Sequence, residues 1–347
     1  MSKDFGILES AIRGKRCSSV PLYEHGIDLP IIEAIMGYDF SKLDRSTEAG
    51  NKQVWKSIIR FYDEMGYVYV PVEFGVQFAT PFRNAAGGRG WADEHNGPIQ
   101  SWDDLENPDY WPDVETAFAY DTFAEIAALL PSHMKIIGGA SGGPFEHASF
   151  LMGLENLCIT ALEDEAFTER LFRQIGETIA GVAAKVAGLE KLGVYRFGDD
   201  LGYKTGTMFS PNLLRKYVFP WQKRVVDEVH KHGKAFLLHS CGNLGAIMDD
   251  LIDDVGIDAK HSFEDVIMPV TEAKRRWGHR IAILGGIDVD FLCQSSPSQI
   301  KDYTKRTLEV CAQNGGYAAG SGNTIASYVP VQNYLAMVEA INEFNRA

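Results

Sequence analysis

An apolar run, Lys234-Ala-Phe-Leu-Leu238, leads straight into His239-Ser240-Cys241-Gly242. In an extended strand, side chains two apart share a face, so His239 and Cys241 point the same way. Imidazole and thiolate are both good zinc donors, and a pair fixed at a strand end needs one more protein ligand to leave an open catalytic position. A histidine and a cysteine two apart also arise by chance, and cysteine is often a small buried apolar residue. The context of the pair has to decide between these readings.

Seven short apolar runs recur from about residue 65 onward: 66–72, 134–139, 193–197, 234–239, 256–260, 280–286 and 316–321. Several are rich in Val, Ile, Tyr and Phe without clean alternation, as expected of strands covered on both faces. Between them lie helical patterns at 166–192, 211–232, 244–255, 269–277, 298–314 and 330–345. Pro211 stands near the start of one and Gly233 closes it, the usual punctuation of a helix. Strands alternating with helices imply a parallel sheet, and seven strands with an eighth easily overlooked suit a (β/α)8 TIM barrel. The fingerprint G-x-G-x-x-G of an open dinucleotide-binding sheet is absent, and Gly320-Ser-Gly322 does not complete it. Residues 1–64 read as an N-terminal helical layer. Residues 76–115, with Gly87-Gly88, Trp91, Trp102 and Trp111, read as a long excursion after the first strand, inside one domain spanning 1–347.

A barrel places its chemistry at the C-terminal ends of its strands. Those ends carry Glu73, Ser141, Asp199-Asp200, His239 with Cys241, His261 and Glu264, Asp288 and Asp290, then Ser321 and Asn323. Each has an ordinary alternative: Asp199, Asp200 and Asp288 as helix caps, Glu73 as the partner of an arginine such as Arg83. Converging on one rim around a His/Cys pair, they form the layout expected of metal-assisted chemistry. Phe74, Phe78, Phe82, Phe145, Tyr203 and Tyr317 either line a cavity at that rim or belong to the core.

Composition narrows the partners. The chain has 347 residues, 45% hydrophobic and 23% charged, with a formal charge of -14. That charge argues against nucleic acid and against anionic membrane surfaces. Five cysteines are scattered without a disulfide pattern, and no apolar window reaches the length of a membrane span or a signal peptide. A cytoplasmic location is the expectation.

The stretch Phe197-Gly-Asp-Asp-Leu-Gly-Tyr-Lys204, then Phe209-Ser-Pro211, His232-Gly233 and Leu238-His-Ser-Cys-Gly-Asn243, resembles the uroporphyrinogen decarboxylase superfamily. Gly285-Gly-Ile-Asp288, Gly315-Gly-Tyr317, Gly320-Ser-Gly-Asn-Thr-Ile325 and Pro330-Val-Gln-Asn-Tyr-Leu-Ala-Met337 continue in the family's order. The resemblance implies a (β/α)8 barrel and one of two chemistries: decarboxylation of uroporphyrinogen without a cofactor, or zinc-dependent methyl transfer to or from a corrinoid. The His-x-Cys-Gly motif is similar to that of the corrinoid-dependent methyltransferase branch. It implies zinc on His239 and Cys241, and a cobalamin carried by a separate corrinoid protein.

Two departures refine this. Asn323 stands where the coenzyme M branch has a second cysteine, and a neutral amide is a poor zinc ligand, so a third ligand comes from elsewhere, with Glu73 or Asp199 as candidates. Cys311 falls inside a helix. The loss of that cysteine favours a methyl ether donor over a thiol acceptor. Second, the Arg-Gln-Ala-Gly-Arg type segment of the decarboxylases is replaced by Val20-Pro-Leu-Tyr-Glu-His-Gly26, without arginines, and an acidic rim repels a substrate with eight carboxylates. Within the resemblance, Asp199, Asp200 and Tyr203 are the catalytic candidates, and Glu73, Lys204 and Asn323 the substrate-binding ones. A decarboxylase and a non-catalytic tetrapyrrole or corrinoid binder are the alternatives, and a homodimer is compatible with either.

Overall fold

The computed structural model describes residues 4–78, the backbone of 83–84 and 90–91, and residues 95–346. Seven parallel strands form one sheet in strict chain order: β1 (Tyr69–Gly75), β2 (Lys135–Ser141), β3 (Leu192–Gly198), β4 (Ala235–His239), β5 (Ala259–His261), β6 (Ala282–Leu284) and β7 (Tyr317–Ala318). Sequential parallel neighbours joined by helices give a TIM-barrel-like α/β fold. All seven apolar runs of the sequence fall on these strands.

The strands are legible because both faces are covered. Along β4 every residue from Ala235 to His239 is buried, the even positions toward the helices and the odd ones toward the barrel axis. Phe236 packs on Tyr195 and Phe197 of β3, which places those rings in the helix-facing layer. Leu237 and His239 therefore face inward, as do Arg196 and Gly198 across the register pairs Arg196↔Leu237 and Gly198↔His239.

The N-terminal region departs from the helical layer expected for 1–64. Helices occupy Phe5–Ile12, Leu29–Met36 and Glu48–Glu64, but the segment between the first two is extended and runs along the free edge of β7. Tyr23 N–H donates to Ala319 O and Ala319 N–H to Pro21 O, both at 2.8 Å. The physical reason is that β7 would otherwise leave unpaired backbone groups inside the fold. On its other side the Tyr69 hydroxyl of β1 meets Glu24 O at 2.6 Å. Residues 21–25 thus enter the space between the last strand and the first, and bring Glu24 and His25 into the interior.

The excursion after β1 holds a two-residue hairpin, Arg83–Asn84 with Gly90–Trp91, and a short helix, Trp102–Leu105. Trp111 packs on Phe78, and Trp102 on Phe167. Phe82, Gly87-Gly88 and the side chains of Arg83 and Trp91 lie outside the described residues. Among the described residues no helix is long and apolar enough to cross a membrane.

Candidate active site

β4 ends at His239, and the chain must then turn sharply to keep Cys241 on the same face. Gly242 makes that turn with φ +85, and a Cβ there would lie 2.1 Å from Gly202 O. Both the left-handed backbone and the close approach require glycine. Asp200 Oδ1 accepts the Cys241 N–H at 2.8 Å, tying the end of β3 to the end of β4.

His239 Nε2 and Cys241 Sγ stand 3.6 Å apart. Two ligands of a tetrahedral zinc, at about 2.05 Å for nitrogen and about 2.3 Å for sulfur, are separated by roughly the same 3.6 Å. Asp200 supplies a carboxylate oxygen, and the three ligand atoms lie within 4.8 Å of one another. Burial, with the Asp200 charge beside it, pushes the Cys241 thiol up to about 12. A divalent cation at this point would reverse that balance, since it stabilises both thiolate and carboxylate. The donor set fits zinc.

Asn323 touches the cluster from the opposite side. Its Oδ1 accepts the Thr324 N–H at 2.8 Å, which turns the amide nitrogen toward Cys241 Sγ at 3.5 Å. Asn323 therefore offers the sulfur a donor and offers a metal no lone pair. Ser262 Oγ lies 3.8 Å from the same sulfur.

The other expected site residues divide clearly. Glu73 is engaged elsewhere: its carboxylate is held at 2.5 Å by Arg196 Nε, not by Arg83. Arg196, 2% exposed, also donates to Tyr23 OH and His25 O. A carboxylate committed to a buried guanidinium is not available as a metal ligand. Asp199 is fully buried and faces the helix layer, where it accepts from Glu146 N at 2.9 Å, Phe145 N at 3.4 Å and Gln222 Nε2 at 2.8 Å. It anchors the start of the helix Pro144–Met152, and burial raises its pKa to about 7. Tyr203 and Lys204 stand exposed, and the Tyr203 carbonyl accepts the Asn243 N–H at 2.7 Å. Asp288 caps the helix Val289–Gln294. Phe74, Phe78, Phe145 and Tyr317 pack in the core.

Three residues near the site, Glu146, Glu24 and His25, carry no such signal in the sequence, and a fourth, His261, is marked there only as a strand-end residue. Glu146, from a helix the periodicity did not reveal, brings its carboxylate up to Gly198 at the end of β3; burial, then the Asp200 and Asp199 charges, hold its carboxyl well above the usual range. His25 stacks on His239 with centroids 3.9 Å apart and planes at 27°. The nitrogens of His25, His239 and His261 also lie within 4.8 Å of one another. Two face-to-face imidazoles cannot aim their in-plane lone pairs at one ion about 2.0 Å away, so this group is packing rather than a ligand triad. His261 Nδ1 meets His239 Nδ1 at 2.9 Å with the rings tilted by 41°, and Glu24 holds Ser321.

The Glu24 arrangement carries a proton. Ser321 Oγ contacts both Glu24 Oε2 and Asn323 O. A carbonyl only accepts, so the single hydroxyl proton goes to Asn323 O and Glu24 must donate to Ser321. Burial raises the Glu24 pKa from 4.5 to about 8 in agreement. A carboxyl raised in the folded state stabilises fully below its unfolded pKa and loses that contribution as pH rises toward 8. Glu24→Gln, which is neutral at every pH, is expected to gain on the wild type between pH 5 and pH 8, by up to about 1.4 kcal/mol per pH unit. Thermal melts of the two proteins at both pH values check this; a constant difference would show Glu24 to be ionised.

A cleft of about 1010 Å³ lies at the opposite end of the barrel, beside Arg13, Lys274 and Arg280. Its cations are spoken for: Arg13 by Glu9, Arg280 by Asp249 and Asp253, and Lys274 by the Gly315 and Gly316 carbonyls. The N-terminal face of such a fold serves stability.

Known proteins resemble this chain in sequence and in fold. A uroporphyrinogen decarboxylase (URO-D) family model matches residues 89–344. The uroporphyrinogen decarboxylase of Coxiella burnetii is 25% identical over 260 residues, 72% of this chain and 69% of its own. That of Mannheimia succiniciproducens is 24% identical over 271 residues, 75% of this chain and 73% of its own. Among solved structures, a methyltransferase from Methanosarcina mazei superposes with a TM-score of 0.70 at 18% identity, covering 97% of both chains. A putative vitamin-B12 independent methionine synthase from Listeria monocytogenes gives 0.50 at 12% identity, over 95% of this chain and 98% of that one. The family match spans well over half the sequence and includes the whole His239–Cys241 site, so the chain belongs to the uroporphyrinogen decarboxylase family.

Proposed function

We propose that this member of the family is a zinc-dependent methyltransferase, moving a methyl group between a small oxygen-containing substrate, with a methyl ether favoured, and a corrinoid carried by a separate protein. The observation that carries the reading is the 3.6 Å separation of His239 Nε2 and Cys241 Sγ with Asp200 beside them. His239, Cys241 and Asp200 would hold the metal, and a fourth position stays open for substrate. Bound there, zinc supplies Lewis acidity toward a substrate oxygen.

The protein's own residues do the rest. Asp200 holds the Cys241 backbone and Asn323 donates to its sulfur, which fixes the thiolate rotamer. Glu146, whose buried carboxyl is held well above the usual range, stands beside Gly198 at the end of β3, a group able to give a proton to a departing oxygen. Asp199 positions the helix that carries Glu146 rather than meeting substrate. Tyr203 and Lys204, both exposed, are placed to meet the substrate or the corrinoid partner as either arrives. With one sulfur ligand in place of two, the site suits oxygen ligation of the substrate better than thiolate ligation.

Decarboxylation of uroporphyrinogen is the second reading, and the names of the curated relatives favour it. Against it, the segment that enters the barrel brings Glu24 and His25 where arginines would be needed. The buried Arg196 is already neutralised by Glu73. An assay with cob(I)alamin and a panel of methyl ethers, amines and thiols separates the two. Methyl transfer from an ether supports the proposal; turnover of uroporphyrinogen, undiminished by Cys241→Ala, overturns it.

A further inference from the structure

We propose that His261 is a positioning residue that sets the tautomer of His239, so that the Nε2 lone pair of His239 faces Cys241 and Asp200. The inference rests on the reading of His239 as a metal ligand, but its geometry is independent of any metal. His261 Nε2 lies 3.1 Å from Ser321 O. A carbonyl only accepts, so the proton of neutral His261 is on Nε2 and its Nδ1 is a lone pair. That Nδ1 lies 2.9 Å from His239 Nδ1. Two lone pairs do not face each other at this distance, so His239 carries its proton on Nδ1 and leaves Nε2 bare. Nε2 is the nitrogen 3.6 Å from Cys241 Sγ.

The anchor of this relay is itself fixed. Ser321 N–H donates to Glu24 Oε1 at 2.9 Å and its hydroxyl to Asn323 O at 2.5 Å. Residues from four separated parts of the chain, Glu24, Ser321, His261 and His239, thus form one directional series. Among the described residues no carboxylate hydrogen-bonds to either imidazole, and burial above all, with the Arg196 and Lys260 cations nearby, disfavours a second proton on each. The outer partner of a metal-bound histidine is usually a carboxylate or a carbonyl; here a second histidine stands between the ligand and the carbonyl.

Long-range proton–nitrogen NMR of the metal-free wild-type protein, labelled at its nine histidines, reads the tautomers directly. The expected spectrum shows His239 protonated at Nδ1 and His261 at Nε2; a proton on His239 Nε2 overturns the proposal whether or not zinc binds. Zinc affinity by chelator competition supplies the second arm. His261→Phe removes the acceptor and is expected to weaken binding by about 10- to 100-fold, the usual cost of losing such a partner. His261→Asn, whose Oδ1 takes the place of Nδ1 as acceptor, is expected to restore most of it. Equal loss in both variants, or none in either, overturns the positioning role. A wild type that binds no zinc at all would sink the methyltransferase reading, and the NMR arm would still decide this one.

Discussion

Cys241→Ala is expected to abolish tight zinc binding and to lower methyl transfer by roughly a thousandfold or more, with the fold intact. Lewis acidity contributes several kcal/mol to a transition state, and each 1.36 kcal/mol is tenfold in rate. The side chain is only half-buried, so its loss leaves a small cavity rather than a collapsed core. The neighbouring aspartates sharpen the test. Asp200→Ala is expected to lose zinc as well, because its carboxylate oxygen lies with His239 and Cys241 in the proposed ligand set. Asp199→Asn is expected to keep zinc and to melt at lower temperature, because Asp199 holds the helix Pro144–Met152 and faces away from the metal. Zinc content by mass spectrometry with thermal melts on the three proteins checks the assignment. Zinc lost with Asp199 and kept without Asp200 would reverse it.

The second large effect concerns stability. Arg196→Met is expected to cost about 3–5 kcal/mol, the penalty of leaving one partner of a buried ion pair uncompensated. Glu73 would then be a largely buried carboxylate without its cation, and Tyr23 OH and His25 O would lose a donor. The double variant Arg196→Met with Glu73→Gln is expected to recover much of that loss, since it removes the orphaned charge as well. Denaturant unfolding of the single and double variants measures the coupling; a single variant within about 1 kcal/mol of wild type would show that Glu73 finds another partner or takes up a proton.

Much of this fold was legible because its strands are buried on both faces and stand out as apolar runs. Much of the site was legible too, in the sense that His239 and Cys241 share a face as their spacing implies. The third ligand was not separated from its neighbour, although the same pleat holds the answer. Along β3, Arg196 and Gly198 face the axis while Tyr195 and Phe197 face the helices, so continuing the alternation turns Asp200 inward and Asp199 outward. Glu73 misled for the opposite reason: it points into the barrel as expected, but its partner Arg196 lies 123 residues away, and pairing at that range leaves no local signal. The extended segment 20–27 leaves no local signal against a helical layer, because its pairing with β7 and the residues after it spans nearly the whole chain. Its contribution of Glu24 and His25 became visible only once the edge of β7 had to be satisfied.

The claim that His239, Cys241 and Asp200 hold the metal is tested most directly by zinc X-ray absorption on the purified protein. The account predicts about one zinc per chain with one sulfur neighbour near 2.3 Å and the remaining neighbours nitrogen or oxygen near 2.0–2.2 Å, the sulfur shell vanishing in Cys241→Ala. A protein that takes up no zinc, or a zinc shell with two sulfurs, would contradict it.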